Sequence, residues 1–491
     1  MTEELISELR KLLDANQYGE VINFCNQKLA IAGSENFDNF TLAKIYLAKG
    51  CAEYDLGNMS EAIENYNLAI KNDSNYHKAF VNRAFYYYVI KEYQSAINDY
   101  NKAIELEPND AGYYHWRGRA KVEINLYLEA IQDYNKAIEL ESKEMIHYAF
   151  RGEAEFLQGN FEDAIKTLDI VINAGIEKPD VYFWRGCSFC HLKQYELAIK
   201  DLDKSLDLEP YSSNTLFWRG RAMFEIEQYE KASVDLDKAI ELNSNTAIFY
   251  SYAGLNNTRL KQYEKAIENF GIAINIEPNN SAYYCFRGFA KKELEQYETA
   301  IIDLNKSINL NPSFYEPYYW RGCCKYYLGQ EISALEDFNN ALELNPNDVD
   351  VYISRAKLKI NLADYEGAIF DFSRLLELDP ENFDEYCKDI TELLLDKEQY
   401  DIVIDFATKE YISPYDIDEL FEQGKIREDN YSRLLENSEY KRYKEKYKKE
   451  RLEVLEEIRK EIRNPFYWIK EFILYSAIYP IIRFINKFKK G

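Results

Sequence analysis

Ten alanines recur along this chain at a constant interval of 34 residues. A constant interval of this length is the signature of a stacked-repeat architecture, in which each unit buries its hydrophobic face only against its neighbours. We therefore predict that residues 43–382 fold as ten consecutive copies of one helical hairpin, with alanine at place twenty of each copy. These alanines are Ala62, Ala96, Ala130, Ala164, Ala198, Ala232, Ala266, Ala300, Ala334 and Ala368.

Three further places of the 34-residue unit are restricted. Place four is large and mostly aromatic, as in Tyr46 and Phe80, and place eight is always glycine or alanine. Place thirty-two is often proline, which cannot continue a helix and therefore closes the unit. Apolar residues between these places recur at spacings of three and four, which is the helical period. The prolines are Pro108, Pro210, Pro278, Pro312, Pro346 and Pro380.

This pattern resembles the tetratricopeptide repeat family over residues 43–382. The resemblance implies an all-α tetratricopeptide-repeat solenoid, a right-handed superhelix of antiparallel helix hairpins, with a C-terminal helical extension. The pattern is degenerate at both ends, where Val21 and Val403 replace the expected alanine. We assign residues 1–42 to a capping hairpin and loop, and residues 383–417 to a degenerate last repeat. The family is a generic protein-binding scaffold, so the fold alone does not name a function.

Two charged places vary together within the chain. Place seven is usually arginine and place twenty-three usually aspartate, and the unit that has Ala253 also has Asn269. In an antiparallel hairpin that turns near place fifteen, these two places face each other. We predict a partly buried ion pair across each hairpin rather than an anion-binding strip of arginines, because arginines already paired with aspartate are poorly available to a ligand.

The composition indicates an acidic body with a basic end. The net charge is −25; residues 441–491 hold 15 Lys and Arg against 7 Asp and Glu, a net of +8, which leaves −33 for residues 1–440. So acidic a body should repel nucleic acid. The eight cysteines are dispersed and the N-terminus lacks a secretory signal pattern, which favours reduced thiols and a cytoplasmic location. No catalytic motif stands out, so we expect a protein that is not an enzyme and binds no cofactor.

One local motif points to different chemistry. Cys187, Cys190 and His191 have the spacing of covalent haem attachment, and they could also supply three ligands to a metal ion. They lie at ordinary places of the fifth repeat, however, and no export signal or partner pair of ligands is visible. We interpret the motif as a coincidence of the repeat and keep a haem or metal protein as a low-probability alternative.

A stripe of aromatic residues marks the first helix of each hairpin. The resemblance implies that this helix lines the concave face, with places two, six, nine and thirteen forming one stripe and place five beside it. Four of the five tryptophans lie at place six. We predict a partner-binding groove there; the alternative is lateral packing of these rings between adjacent first helices. The candidate aromatic residues are Trp116, Phe150, Phe183, Trp184, Phe217, Trp218, Phe224, Tyr252, Phe286, Tyr319 and Trp320.

Basic residues accompany this stripe. Arg119 and Arg221 lie at place nine, where they could meet acidic side chains or a C-terminal carboxylate and stack on neighbouring rings. Chaperone-binding members of the family use a clamp of Lys, Asn and Arg at fixed places. Only Asn82 fits one of those places, so the sequence argues against a heat-shock-chaperone adaptor.

The C-terminal region leaves the repeat pattern. Residues 418–463 read as a charged helical segment, and residues 464–491 as an apolar and basic tail whose longest uncharged run, residues 472–482, is too short to span a bilayer. The tail could lie on an anionic membrane surface, or dock on a partner or on this protein's own groove, or form a single span. The candidate contact residues are Trp468, Phe472, Leu474, Ile478, Ile481, Phe484, Ile485 and Lys487.

The sequence thus favours a non-enzymatic scaffold that binds a protein or peptide segment in an aromatic groove. The tail would tether it at the periphery of a membrane or to an assembly. A regulatory subunit, whose tail occupies the groove or a partner complex until it is displaced, is the alternative.

Overall fold

The structure is a computed structural model that describes residues 2–32 and 37–379, together with residues 391, 394, 435, 436, 440–446, 448 and 449. The chain divides into two compact units, Met1–Ile276 and Glu277–Gly491. We call them the first and the second unit. Throughout the described residues the regular structure is α-helical, so the predicted all-α fold class is confirmed.

The first unit is a succession of helix pairs. Two N-terminal helices precede seven hairpins whose first and second helices alternate along the chain. The helices are α1 (Thr2–Asp14), α2 (Tyr18–Ala30), α3 (Asn39–Asp55), α4 (Met59–Asn72), α5 (His77–Val89), α6 (Tyr93–Leu106), α7 (Ala111–Glu123), α8 (Tyr127–Leu140), α9 (Met145–Gln158), α10 (Phe161–Asn173), α11 (Pro179–His191), α12 (Tyr195–Leu208), α13 (Ser213–Glu225), α14 (Tyr229–Leu242), α15 (Ala247–Arg259) and α16 (Tyr263–Ile276).

The second unit continues the same alternation through the last three predicted repeats. Its described helices are α17 (Ser281–Glu293), α18 (Tyr297–Leu310), α19 (Glu316–Tyr327), α20 (Glu331–Leu344), α21 (Val349–Asn361) and α22 (Tyr365–Leu378). Each second helix therefore packs against the first helix of its own repeat, as the 34-residue interval predicts.

Every hairpin turns at place fifteen. The residue there adopts the left-handed conformation, with φ between 57° and 90°, whether it is glycine or a larger residue. This conformation reverses the chain and lets the second helix fold back on the first. The ten residues are Gly57, Lys91, Asn125, Gly159, Lys193, Glu227, Lys261, Glu295, Gly329 and Ala363.

Small residues at places eight and twenty bring the two helices of a hairpin into close contact. A Cβ atom added to Gly186 would lie 2.9 Å from Cγ of Leu202 and 3.3 Å from the carbonyl oxygen of Ala198. The alanines at place twenty are themselves at most 2% exposed. The core of each hairpin thus contains a contact between two small residues, alanine at place twenty and glycine or alanine at place eight, with larger apolar residues around it.

The predicted ion pairs across the hairpins are confirmed. Nε and Nη2 of Arg219 donate to the two carboxylate oxygens of Asp235 at 2.6 and 2.7 Å, and six other repeats make the same bidentate contact. A second contact was not predicted from the sequence: Nη1 of Arg219 donates to Asp203 of the preceding repeat at 2.6 Å. The arginine therefore links two hairpins as well as the two helices of its own.

The ends of the array carry additional helices. Val21 and Cys25 of α2 are fully buried against α3 in one apolar cluster. In the second unit, Tyr440 and Tyr443 lie in a short helical stretch and are buried in the cluster that includes Phe372. The rest of the predicted charged segment, most of the predicted last repeat and the whole tail of residues 464–491 lie outside the described residues. No helix in the described part of the chain is both long and apolar enough to cross a membrane.

Candidate functional site

The rings at place six of the first unit lie on one side of successive first helices. Trp116, Phe150, Trp184, Trp218 and Tyr252 are all half-buried. On the same helices, the residues at place eight face the second helix of the hairpin, which leaves the side with place six turned away from that helix. Each ring therefore contributes to the interior with one part and to the surface with another.

The rings are in contact from one repeat to the next. The ring centroid of Phe156 lies 5.1 Å from that of Trp184 and 6.4 Å from that of Trp218. The imidazole of His191 lies 5.5 Å from Phe156 and 5.4 Å from Trp218. We call Trp184, Phe156, His191, Trp218 and Tyr252 the aromatic ladder; it extends over four consecutive repeats of the first unit.

An arginine joins the last two rings of the ladder. The guanidinium of Arg221 lies 4.7 Å from the ring centroid of Trp218 and 5.5 Å from that of Tyr252, both within the range of cation–π contact. Beyond it, Phe224 meets Tyr252 edge-on at 6.2 Å. Burial lowers the pKa of His191 below its ordinary value, and the nearby charge of Arg221 lowers it further. His191 is therefore neutral at physiological pH and presents a ring rather than a charge.

Place five behaves differently from place six. Phe217 is only 5% exposed and stacks on Phe249 at 4.9 Å, so it lies beneath the predicted groove and not on it. His115, at the same place of the third repeat, is 6% exposed. Phe183 is half-buried and contacts Trp184 edge-on at 4.9 Å. The prediction of a groove position is thus wrong for Phe217, because place five turns toward the next first helix of the stack.

A second arginine forms a similar contact near the start of the ladder. The guanidinium of Arg119 lies 5.0 Å from Trp116 and 4.6 Å from Phe150. Carboxyl groups lie near it, however. Burial raises the pKa of Glu153 to about 7; the charge of Arg119 opposes this rise, whereas Asp180 and Glu123 add to it.

The second unit has its own aromatic group. Trp320 lies 4.5 Å from both Phe289 and Tyr319, and the ammonium of Lys292 lies 4.8 Å from the Trp320 ring. Tyr319 is half-buried, and its hydroxyl lies within hydrogen-bond distance of Ser354 at 3.3 Å. Phe286, the remaining predicted residue, is half-buried as well. Tyr319 and Trp320, together with Phe289 and Lys292, therefore form one contiguous group.

The cysteines of the haem-like motif lie in the interior. Cys187 is fully buried and Cys190 is 3% exposed, and burial raises the pKa of both thiols. The His191 imidazole stacks on Phe161 at a centroid distance of 4.3 Å. Within the described residues, no group of three or more His, Cys, Asp or Glu side chains could hold a metal ion. The environment of these thiols is thus that of core residues.

Four contributors to these surfaces were not among the predicted site residues. They are Phe156 and His191 in the first unit and Phe289 and Lys292 in the second. Phe156 and Lys292 occupy place twelve, His191 place thirteen and Phe289 place nine. Place thirteen follows place six by seven residues, and place twelve follows place five by seven, which returns a helix to nearly the same side. The signal was present in the helical period, but the motif with Cys187 directed attention to His191 as a ligand instead.

Comparison with known proteins agrees with the repeat pattern. Family models described as tetratricopeptide repeat match residues 43–76, 77–110, 117–179, 179–212, 281–314, 315–348 and 349–382. No curated protein matches the chain significantly.

Several solved structures are similar to the chain. A tetratricopeptide repeat protein from Parabacteroides merdae is 21% identical, with a TM-score of 0.39, and the match covers 52% of this chain and 98% of that one. The Cut9 and Hcn1 hetero-tetramer of APC/C gives 14% identity and a TM-score of 0.43, with coverage of 78% and 94%. YrrB, described as having an unusual peptide-binding site, gives 24% identity and a TM-score of 0.31, with coverage of 36% and 92%.

Proposed function

The chain belongs to the tetratricopeptide repeat family, and from this premise we propose that it is a non-enzymatic scaffold that binds a partner peptide on the aromatic ladder. Proteins of this family generally act by binding other proteins or peptides. The observation that supports the proposal is a series of contacts across four repeats, in which Phe156 contacts Trp184 and Trp218 and Arg221 joins Trp218 to Tyr252, with every ring only half-buried.

The energetics favour binding by these rings. A half-buried indole still exposes apolar area to water, and covering apolar area contributes about 25 cal/mol per Å². Tryptophan and tyrosine lose little side-chain entropy on binding and are enriched among the residues that dominate interface energies. The neighbouring contacts already hold Trp184 and Trp218 in place, so a peptide meets a surface that needs little further ordering.

The test is selection of binding peptides on the intact protein. A library of random twelve-residue peptides is selected on the full chain and, in parallel, on the Trp184→Ala/Trp218→Ala double variant. We expect aromatic and large aliphatic peptides to be enriched on the native protein. A labelled copy of the best peptide should lose at least about 2 kcal/mol, roughly thirtyfold in Kd, on the double variant.

A matched control removes a ring that lies outside the ladder. Tyr211 is 75% exposed in the same unit, so Tyr211→Ala deletes an exposed aromatic side chain and should leave the affinity unchanged. Helicity measured by circular dichroism must be the same in all variants. Equal affinity of the native protein and the Trp184→Ala/Trp218→Ala variant, with equal helicity, would exclude the ladder as the binding surface.

We also propose, from the sequence, that the tail tethers the scaffold to an anionic membrane surface. Residues 464–491 combine apolar residues with a basic end on an otherwise acidic chain, and each Lys or Arg near such a surface contributes about 1 kcal/mol. The full chain should sediment with vesicles that contain phosphatidylserine, and a chain that ends at residue 463 should not. Absence of sedimentation at low salt, with Trp468 protected from protease, would favour docking of the tail on the array or a partner instead.

A further inference from the structure

Arg221 differs from the arginines that hold the array together. The arginines at place seven donate to carboxylate, amide or hydroxyl groups of the repeats, as Arg219 does to Asp235 and Asp203. Arg221, two residues further along α13, makes no ion pair within residues 43–379, and its guanidinium lies over the rings of Trp218 and Tyr252. A guanidinium held between two rings keeps its five N–H donors in a fixed plane for another partner.

We propose that Arg221 is the specificity residue of the aromatic ladder and binds the side-chain carboxylate of an Asp or Glu in the middle of the partner peptide. The residues that flank this acidic residue would be aromatic or large and aliphatic, because the ladder continues on both sides of Arg221. This inference rests on the proposed function and names the class of peptide that the ladder recognises.

The neighbouring charges select Arg221 over Arg119. Arg119, Glu123 and Asp180 all act on the pKa of Glu153, which burial raises to about 7. Oε1 of Glu123 lies 3.4 Å from the hydroxyl of Tyr88, and the Arg119 guanidinium lies 5.5 Å from the Tyr88 ring. A ligand carboxylate at Arg119 would meet this group of carboxyls. Burial raises the pKa of Tyr195 and Tyr252; the exposed Glu225 adds to this rise and Arg221 opposes it. These groups therefore place one carboxyl near Arg221, whereas three carboxyls lie near Arg119.

A carboxylate fits this site better than a phosphate. One guanidinium balances one carboxylate and can bind both of its oxygens at once. A phosphate at neutral pH carries close to two negative charges, so it would leave uncompensated charge next to Glu225. A terminal carboxylate fits less well than a side chain, since a chain that ended at Arg221 would leave either Trp184 or Tyr252 unoccupied.

The tail of this chain matches this class only in part. Its one acidic residue, Glu471, lies between Ile469 and Phe472 but directly follows Lys470, and the other charged residues of 464–491 are basic. Because a segment of net positive charge is repelled by Arg221, a separate acidic and aromatic segment is the occupant that the charge of Arg221 favours.

The experiment extends the peptide selection to Arg221→Ala and Arg221→Lys. The twelve-residue peptides are flanked on both sides, so that neither terminus is free. On the native protein we expect enrichment of peptides with an Asp or Glu between aromatic or large aliphatic residues. On Arg221→Ala the acidic preference should disappear while the apolar preference stays, and Arg221→Lys should show an intermediate preference because it keeps the charge but loses the planar fork.

A matched control removes an equal charge on the second helix of the same repeat. Lys231 is exposed on α14, so Lys231→Ala should leave the acidic preference intact. For the best synthetic peptide, Glu→Gln should weaken binding about tenfold on the native protein and on Lys231→Ala. The same change should have no effect on Arg221→Ala.

The outcomes separate this inference from the proposed function. Enrichment of apolar peptides without an acidic residue, or an acidic preference that persists on Arg221→Ala, would overturn the role of Arg221 and leave the ladder as the binding surface. Equal enrichment on the native protein and the Trp184→Ala/Trp218→Ala variant would overturn both. Tighter binding of a phosphoserine peptide than of its Glu counterpart would overturn the choice of carboxylate.

Discussion

Replacing Arg219 by alanine should destabilise the sixth repeat more than the equivalent change destabilises the ninth. Asp235, the partner of Arg219, has a side chain that is 6% exposed, and Arg219 is the only cation within 4 Å of it in the described residues. In the ninth repeat, Asp337 pairs with Arg321 and also with Lys325, whose Nζ lies 2.8 Å from the second carboxylate oxygen. The two variants therefore differ in whether they leave a buried carboxylate without a cation.

The magnitudes follow from this difference. Leaving one member of a buried ion pair alone costs about 3–5 kcal/mol. The Arg219 side chain is itself 22% exposed, so water can enter the space that it vacates, and we expect about 2–3 kcal/mol for Arg219→Ala. Arg321→Ala loses hydrogen bonds but leaves Asp337 neutralised by Lys325, which should cost about 1–1.5 kcal/mol.

Local stability is best measured by amide hydrogen exchange of α13 and α14 in one variant and of α19 and α20 in the other, because repeats in an array can open separately. The chain offers a rescue. Arg219→Ala combined with Asp235→Asn reproduces the natural pair of Ala253 and Asn269 and should recover part of the loss. A double variant as unstable as the sum of its single variants, or equal losses in the two repeats, would refute the reasoning.

Two further changes test the packing and the titration of the first unit. Gly186→Ala should destabilise it by about 1–2 kcal/mol in thermal unfolding, because the new Cβ would lie 2.9 Å from Leu202; Gly19→Ala, which meets nothing within 4 Å on α2, should instead stabilise its helix. The pKa of Glu153 is raised from 4.5 to about 7, so the folded state binds more protons than the unfolded state between these values and stability falls as pH rises through them. Glu153→Gln should therefore raise the melting temperature at pH 8, by an effect equivalent to about 1–2 kcal/mol, and flatten its change between pH 5 and 8; an unchanged pH profile would contradict the assignment.

The hairpins could be predicted from the sequence because every repeat restates the same constraints. Ala62 and its equivalents fix the interval, and the joint replacement at Ala253 and Asn269 revealed which charged places face each other. The contact of Arg219 with Asp203 was missed for a physical reason. It joins neighbouring repeats, and a pattern compared place by place within one unit does not show how the next unit is stacked.

The candidate surface could be predicted only in part. Place six was correctly predicted to lie away from the second helix of its hairpin. Phe217 at place five, by contrast, was assigned to the groove, although it is buried against Phe249. Adjacent residues differ by about 100° around a helix, so place five lies between the surface and the neighbouring first helix. Which way it turns depends on the stacking of repeats, and the helical period contains no information about that.

On the proposed function, stability and recognition would use different places of the same 34-residue unit. The two helices of a hairpin are held together by residues at places seven, eight, twenty and twenty-three. These places hardly vary, since Arg219, Gly220, Ala232 and Asp235 have equivalents in most repeats. Places six and nine vary along the array while the fold is kept, and at place nine the residue changes from Arg119 to glutamate, cysteine and arginine over four successive repeats. Because the Arg–Asp pairs and the small-residue contacts of the hairpins do not involve these side chains, a change of ligand class would require replacement only of those that are exposed. The position of Arg221 within the ladder, rather than the number of repeats, would therefore set which peptide the protein accepts.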